Sequence, residues 1–167
     1  MTGRSFDVAI QGLDEAITRL GQVAAIEPTD LADMAGHLVV LQTQERIRSE
    51  KTAPDGGAWK PNRAGTSILY ASGLLEESIH HQVADNVATI GSSLVYARIH
   101  NDGGVITPKK GKALRFPVGG KRGRRGGNDQ KTRAKVVMPK RTFLGLSPAN
   151  RQVIETKLAE FIGGKLQ

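Results

Sequence analysis

The feature that most constrains the fold is a turn-rich loop, TAPDGGAWKP, over Thr52–Pro61. Proline presets φ, aspartate bonds its own backbone and glycine accepts positive φ, so this composition predicts tight turns. The loop also holds Trp59, the only tryptophan of the chain. A tryptophan in such a loop usually fills a gap between elements, buries ~150–250 Å² and finds a partner for its N–H. We therefore interpret Trp59 as a structural residue and predict helices before the loop and a β-rich part after it.

Two apolar stripes with helical spacing precede the loop. The first covers about residues 6–25, with apolar residues at steps of three and four, and the second covers residues 31–47. Pro28 lies between them and ends the first helix or starts the second, with Thr29 or Asp30 as N-cap. The N-terminal part is therefore predicted to be two helices that form a hairpin or an L.

A short helix and a hairpin are predicted after the loop. Ser72 is the candidate N-cap of a helix of about two turns. Two β-rich runs, Ile79–Val83 and Val87–Ile90, flank Asp85 and Asn86, which suit a two-residue hairpin turn. This pattern predicts two antiparallel strands.

The remaining elements lie closer to the C-terminus. Leu94–Gly104 fits a short helix or a strand, since periodicity over so few residues does not decide. Ala113–Val118 and Lys135–Met138 are strand candidates. Ser147 is the predicted N-cap of a final helix over residues 148–163, with proline at its first position.

These elements predict one α+β domain with two N-terminal helices, a small mainly antiparallel sheet with a short helix, and a C-terminal helix. A chain of 167 residues can form one domain with its own core. The predicted parts are a helical segment (1–50), a β-rich core (51–147) with a flexible basic insert (119–133), and the last helix (148–163).

Basic residues are concentrated in one segment. From Lys109 to Arg141 there are 13 basic residues and one acidic residue, whereas the rest of the chain has 11 basic and 15 acidic residues. Within it, Gly119–Arg133 has no large apolar residue, so we expect this basic arm to be mobile unless a partner orders it. The predicted contact residues for DNA or a protein partner are Lys109, Lys110, Lys112, Lys121, Arg122, Arg124, Arg125, Lys131 and Arg133.

The arm has three interpretations. Arginines and lysines separated by glycines can neutralise phosphates with a salt-dependent affinity. The arm contains no aromatic residue for base stacking. A solvated loop, or a contact with acidic protein surfaces, fits the composition equally, and composition alone does not choose.

The sequence gives no sign of catalytic, metal or cofactor chemistry. There is no cysteine, and the adjacent His80 and His81 would point to opposite faces of a strand. Metal-ligand spacings, a nucleophile elbow and a Walker loop are all missing. No apolar run approaches ~18 residues and the N-terminus has no signal-peptide core, so we expect no enzyme, no cofactor and no membrane insertion.

Four segments in a fixed order carry a family resemblance. They are ERIRSEKTAPDGGAWKP, ILYASGLLEESI, IGSSLVYARIHNDGG and MPKRTFLGLS, at Glu45–Pro61, Ile68–Ile79, Ile90–Gly104 and Met138–Ser147. Over roughly residues 45–162 the chain resembles the phage virion morphogenesis, or tail completion, family of Mu-like phages and prophages. The resemblance implies a non-enzymatic structural protein of the phage neck, which completes the tail or joins head to tail.

The resemblance also implies partners. We expect a homo-oligomeric ring, commonly sixfold, around the channel that DNA traverses, in contact with head–tail connector and tail terminator or tail tube proteins. The protein would belong to the virion and, during assembly, to the host cytoplasm. The alternative is a nucleic-acid-binding module that acts through the basic arm. The predicted framework residues are Trp59, Tyr96, His100, Arg141, Phe143 and Leu144.

Overall fold

The computed structural model describes residues 18, 21–23, 25–62, 65–109, 111, 113–117 and 130–165. This part of the chain contains both helices and strands, and the last four strands follow one another without a helix between them. In order, they are α1 (Pro28–Glu45), a π-helical turn (Arg46–Glu50), α2 (Leu74–Glu77), β1 (Ile79–Ala84), β2 (Val87–Ser92), α3 (Ala97–Asp102), β3 (Gly104–Ile106), β4 (Leu114–Pro117), β5 (Gln130–Arg133), β6 (Val136–Met138) and α4 (Pro148–Gly164).

The predicted α+β class is confirmed. The strands of the described part form three two-stranded sheets, β1–β2, β3–β6 and β4–β5, where the sequence predicted a single small sheet. In the antiparallel β3–β6 pair, Val105 lies opposite Val137. In the antiparallel β4–β5 pair, Leu114 lies opposite Arg133.

The chain divides into two compact units. The first unit consists of Met1–Gln42, His80–Ile90 and Pro148–Gln167, and the second consists of Thr43–Ile79 and Gly91–Ser147. The single-domain organisation stays a prediction.

In the first unit, α1 packs against the β1–β2 hairpin through a close approach at Gly36. A Cβ at this position would lie 2.5 Å from the ring of His81, so only glycine allows the observed spacing. The His81 ring lies 2.9 Å from the Asp33 carboxylate. Thr29 donates a hydrogen bond from its hydroxyl to the side-chain oxygen of Asn86, at 2.8 Å. These contacts fix the hairpin against one face of α1.

The N-terminal helices differ in detail from the prediction. Helix α1 begins at Pro28, so Thr29 and Asp30 lie inside its first turn and are not N-caps. Proline suits the first helical position, since its φ is preset and its missing N–H is not needed there. The first predicted helix lies mostly outside the described residues, although residues 18 and 21–23 are helical.

Helix α2 also differs from the prediction. Its N-cap is Gly73, with φ 82°, and not Ser72. The left-handed conformation that starts the helix suits glycine, which has no Cβ to clash. The helix is a single turn of four residues, shorter than the predicted two turns.

Local turn chemistry explains the elements that the sequence predicted well. Asp85 and Asn86 have φ of 50° and 61°, as the predicted two-residue hairpin requires. The ambiguous Leu94–Gly104 segment contains helix α3, which ends at Gly103 with φ 72°. The last helix begins at Pro148, as predicted, and continues to Gly164, one residue beyond the predicted end.

One end of the basic arm is ordered, contrary to prediction. Gln130–Arg133 forms strand β5 and pairs with Leu114–Pro117. A strand pair is held by main-chain hydrogen bonds, so a segment without apolar side chains can join one. Residues 118–129, where most of the predicted mobility falls, lie outside the described residues.

Candidate functional site

The four segments that carry the family resemblance contribute to one region of the second unit. Its centre is Arg141–Gly145, with the sequence RTFLG, which we call the hub segment. Phe143 is completely buried and Arg141 nearly so. Side chains from the π-helical turn, from α3 and from the loop Thr52–Pro61, which we call the tryptophan loop, reach the main chain of this segment.

Arg46, from the π-helical turn, holds the hub segment from within the core. Its side chain is 1% exposed. The guanidinium Nη1 donates to the carbonyl oxygens of Phe143, at 2.8 Å, and Gly145, at 3.1 Å. Its Nε lies 3.8 Å from the Glu50 carboxylate. Burial lowers the pKa of Arg46 and the charge of Glu50 opposes this shift, but a guanidinium stays protonated in proteins. The carbonyls therefore bond to a buried cation.

Trp59 contacts the main chain of the hub segment at Thr142. Its ring is buried, and the indole Nε1 donates to the Thr142 carbonyl at 3.1 Å. The tryptophan loop closes on itself through a β-bridge between Thr52 and Ala58. Gly56, with φ 84°, provides the turn that this closure needs. The loop thus presents Trp59 to the hub segment from a fixed backbone.

Asn101, on α3, binds the hub segment from another side. Its side-chain oxygen accepts hydrogen bonds from the backbone N–H groups of Phe143, at 3.0 Å, and Leu144, at 3.1 Å. The backbone N–H of Arg141 donates to the His100 carbonyl at 3.0 Å. The predicted framework residues did not include Arg46 or Asn101, although both lie in the motif segments. The signal for Arg46 was its place beside the apolar stripe of α1.

Arg141 links the hub segment back to the tryptophan loop. Its Nε donates to the Lys60 carbonyl at 2.9 Å, and its Nη2 donates to the Pro61 carbonyl at 3.3 Å. Burial lowers the pKa of Arg141. The side chain acts as a bridge between two main-chain segments separated by about eighty residues.

His100 and Tyr96 lie at the edge of this region. Their rings meet edge to face, with centroids 5.9 Å apart. Burial, together with the positive charge of Arg141, lowers the pKa of His100. Its Nδ1 is buried and has no hydrogen-bond partner in the described part of the chain. Tyr96 is partly exposed, while His100 and Leu144 are half-buried.

A cleft of about 1,090 Å³ opens beside the hub segment, within the second unit. It is lined by residues from 61–62 and 66–75, by Tyr96 and His100 at and in α3, and by residues from 133–141. Tyrosines, leucines and β6 provide an apolar lining, and the cationic lining residues are Arg133, Lys135 and Arg141. None of the residues that line this cleft is acidic.

The walls of the cleft are anchored to the π-helical turn. The Glu76 carboxylate of α2 accepts from Arg48, and its carbonyl accepts from Gln44 at 3.4 Å. The ammonium of Lys51 lies 5.3 Å from the centre of the Tyr70 ring. The Lys51 ammonium also donates to the main-chain carbonyls of Ile47 and Ile68, and burial lowers its pKa. The cleft is therefore a fixed feature of the unit.

Several large apolar side chains of the second unit face solvent. Val95 is 97% exposed, and Val105 and Val137, which are opposite each other in the β3–β6 pair, are 56% and 66% exposed. Leu74 and Tyr70, which line the cleft, are exposed as well. Val105 and Val137 are neighbours and form an exposed apolar patch, and such patches mark binding sites in soluble proteins.

Only part of the predicted basic contact set can be placed. Lys109 is exposed, and Arg133 lies at the cleft. Lys131 belongs to β5, with its side chain outside the described set. The other predicted contacts lie outside the described residues: Lys110, Lys112, Lys121, Arg122, Arg124 and Arg125.

Among the residues that the structure describes, no group of three or more histidine, cysteine or acidic side chains is arranged to hold a metal ion. Within that same part of the chain, no helix has the length and apolar character needed to cross a bilayer.

Comparison with known proteins identifies the family. The model of the phage virion morphogenesis family matches residues 8–162. The chain belongs to this family. The resemblance predicted from the four motif segments is thereby confirmed, and family membership indicates a phage structural or morphogenesis role. No curated protein and no solved structure matches the chain.

Proposed function

We propose that this phage virion morphogenesis protein is a structural subunit of the phage neck. It completes the tail or joins head to tail as part of an oligomeric ring, a hexamer, around the DNA channel, and it catalyses no reaction. The observation that carries the proposal is a tightly bonded hub segment on a unit that exposes apolar side chains.

The hub segment supports a role based on shape. Arg46, Trp59 and Asn101 bond to it across large sequence separations, and all three bonds end on its main chain. Each such bond contributes about 0.5–3 kcal/mol, with those to charged groups at the upper end. A fold held this way keeps its surfaces in fixed positions, as a ring subunit requires.

The exposed apolar side chains support assembly. Covering apolar surface contributes about 25 cal/mol per Å². Val105 and Val137 form a paired patch on one sheet, and Val95 lies exposed at the start of α3. Ring closure needs two different patches on every subunit, each of which meets the other on the neighbour. We propose that these valines contribute to such patches.

The proposed neighbours are head–tail connector and tail terminator or tail tube proteins. In this arrangement the basic arm faces the DNA in the channel or acidic surfaces of the connector. Lys109, one of the predicted basic contact residues, is exposed and does not line the cleft.

Genetic complementation tests the proposal. We expect a phage that lacks this gene to accumulate filled heads and unjoined or incomplete tails, seen by electron microscopy. The wild-type gene should restore joined particles, and the Val137→Asp variant should restore fewer, because it places a charge in an exposed apolar patch. Arg151→Glu, an exposed change on α4, serves as the control. Normal joined particles without the gene would refute the proposal.

The same protein tests the alternative. A nucleic-acid-binding module would retain DNA or RNA at moderate salt as a purified protein, and would lose it when residues 119–133 are deleted. A structural subunit would bind weakly and would fail in assembly.

A further inference from the structure

The cleft of the second unit has the features of a binding site for an extended acidic polypeptide. We propose that it docks a short acidic segment, with alternating apolar side chains, from a neighbouring virion protein. The segment adds as a strand to the free edge of β6. This inference rests on the proposed function only for the source of the segment.

The geometry of β6 indicates an accessible strand edge. Val136, Val137 and Met138 all line the cleft, one after another. Neighbouring side chains of a strand point to opposite faces of its sheet. A cleft that touches three in succession therefore runs along the edge of the strand. Among the strands that the structure describes, β6 has one neighbour, β3, which leaves its second edge open.

The length of the edge limits the segment. Three residues at about 3.3 Å each offer about 10 Å of main chain for pairing. Pro139 follows β6 and also lines the cleft. Because proline has no N–H to donate, pairing stops there. The docked strand is thus short, and side-chain contacts must provide much of its affinity.

The charge of the cleft favours an acidic partner. Arg133 and Lys135 line it on the N-terminal side of β6, and neither forms an ion pair with another described residue. Arg141 is already bonded to main-chain carbonyls. A carboxylate oxygen of Glu77 lies close to Gly73, which lines the cleft, although Glu77 itself does not line it. Within the described part of the chain, two cations without an ion-pair partner thus lie next to an apolar trough and an open strand edge.

The aromatic residues of the opposite wall complete the site. Tyr70, Tyr96 and Leu74 line the cleft and are partly exposed. Tyrosines at interfaces give rigid apolar contact together with a hydroxyl for hydrogen bonding. Apolar side chains on one face of the docked segment would pack on this wall.

Two other occupants fit less well. A second copy of this chain has no acidic strand to offer, since no strand among the described residues contains Asp or Glu. A nucleic acid needs a groove with many cations along its backbone. Among the described residues this cleft has two cations without an ion-pair partner, Arg133 and Lys135, and Lys51 already lies over the ring of Tyr70.

The test uses the purified full-length protein and three probes. These are a pool of short peptides that alternate glutamate with valine, isoleucine or tyrosine, the same pool with lysine for glutamate, and oligothymidylate. Binding is followed by fluorescence anisotropy and by NMR shifts of the β6 amides. We expect the acidic pool to bind and to shift the amides of Val136–Met138, and the basic pool to do neither.

Variants locate the binding. Lys135→Glu should lower the affinity for the acidic pool about tenfold and allow the basic pool to bind. Val137→Asp should lower the affinity for the acidic pool by a similar factor. The matched controls, Val87→Asp on β2 of the first unit and Arg151→Glu on α4, should leave affinity unchanged. Circular dichroism checks that each variant is folded, and all four sites are exposed.

Each contrary result overturns the inference. It fails if neither peptide pool binds, if both pools bind equally, or if Val87→Asp weakens binding as much as Val137→Asp. Saturable shifts of the β6 amides by oligothymidylate alone would assign the cleft to nucleic acid. None of these results bears on the assembly of particles, so the proposed neck function is judged separately by complementation.

Discussion

Replacing Arg46 should show how strongly the hub segment depends on one buried cation. In Arg46→Met the carbonyls of Phe143 and Gly145 lose their donor inside the core. Bonds from a charged donor contribute about 1.5–3 kcal/mol each, and removing one partner of a buried ionic group costs about 3–5 kcal/mol. We expect a loss of about 3–5 kcal/mol in the free energy of unfolding.

The chain offers a chemically matched control. Arg98 pairs with Asp102 at 3.6 Å, also four residues apart, but its side chain is 92% exposed. Arg98→Met should cost no more than about 0.5 kcal/mol. The contrast between these two arginines therefore measures burial and the carbonyl contacts, since both have an ion pair of the same spacing.

Urea denaturation followed by tryptophan fluorescence is a suitable assay. Trp59 is the only tryptophan and bonds directly to the hub segment, so its emission reports on this region. With a urea slope of about 2 kcal/mol per M, the midpoint of Arg46→Met should fall by about 1.5–2.5 M. Equal midpoints for Arg46→Met and Arg98→Met would refute the reasoning.

The remaining predictions concern Trp59, Gly103 and His100 of the second unit, with Gly163 of the first unit for comparison. Trp59→Ala should lower the free energy of unfolding by about 3–5 kcal/mol. Trp59→Phe should lower it by about 1–3 kcal/mol, because the phenyl ring still packs but the N–H hydrogen bond is lost. Circular dichroism in urea measures both. Gly103→Ala should cost at least about 2 kcal/mol, because φ is 72° and the new Cβ would lie 2.7 Å from the Lys140 nitrogen. Gly163→Ala, a helical position with open space, should instead stabilise by about 0.5–1 kcal/mol; comparable thermal midpoints would contradict this pair. Because burial lowers the pKa of His100, the unfolded chain binds the proton more readily. Stability should therefore fall as pH drops below about 6.5, by at most about 1.4 kcal/mol per pH unit. His100→Gln should flatten that slope, and an unchanged slope would exclude His100 as its source.

The elements that could be predicted depend on local chemistry. The turn at Asp85 and Asn86 follows from residues that tolerate positive φ, and the start of α4 follows from Ser147 and Pro148. The burial of Trp59 follows from its type and its loop. In each case, a few neighbouring residues determine the outcome.

The features that were missed depend on distant residues. Strand β5 forms because Leu114–Pro117 offers its main chain, and the polar sequence of β5 gives no hint of this pairing. Asn101 binds the hub segment across 42 residues, a contact that no local pattern encodes. Arg46 lies beside the apolar stripe of the predicted helix, and its role becomes visible only when the carbonyls of the hub segment are placed beside it.

Most of the candidate site also needed the structure. The sequence indicated the basic character of the segment around Lys135, and the motif order indicated the family. The edge of β6, and its position opposite Tyr70 and Tyr96, depends on which strands pair and on where two loops meet. The sequence does not show which strands pair with one another, so it does not show which strand edge is left unpaired.

Imaging of assembled particles by cryo-electron microscopy tests the central claim most directly. The account predicts density for this fold at the junction of head and tail, repeated as a closed ring around the DNA channel, with the exposed valines of β3 and β6 covered by neighbours. Purified, infectious particles that lack the protein, or that hold it away from the neck as separate copies, would contradict it.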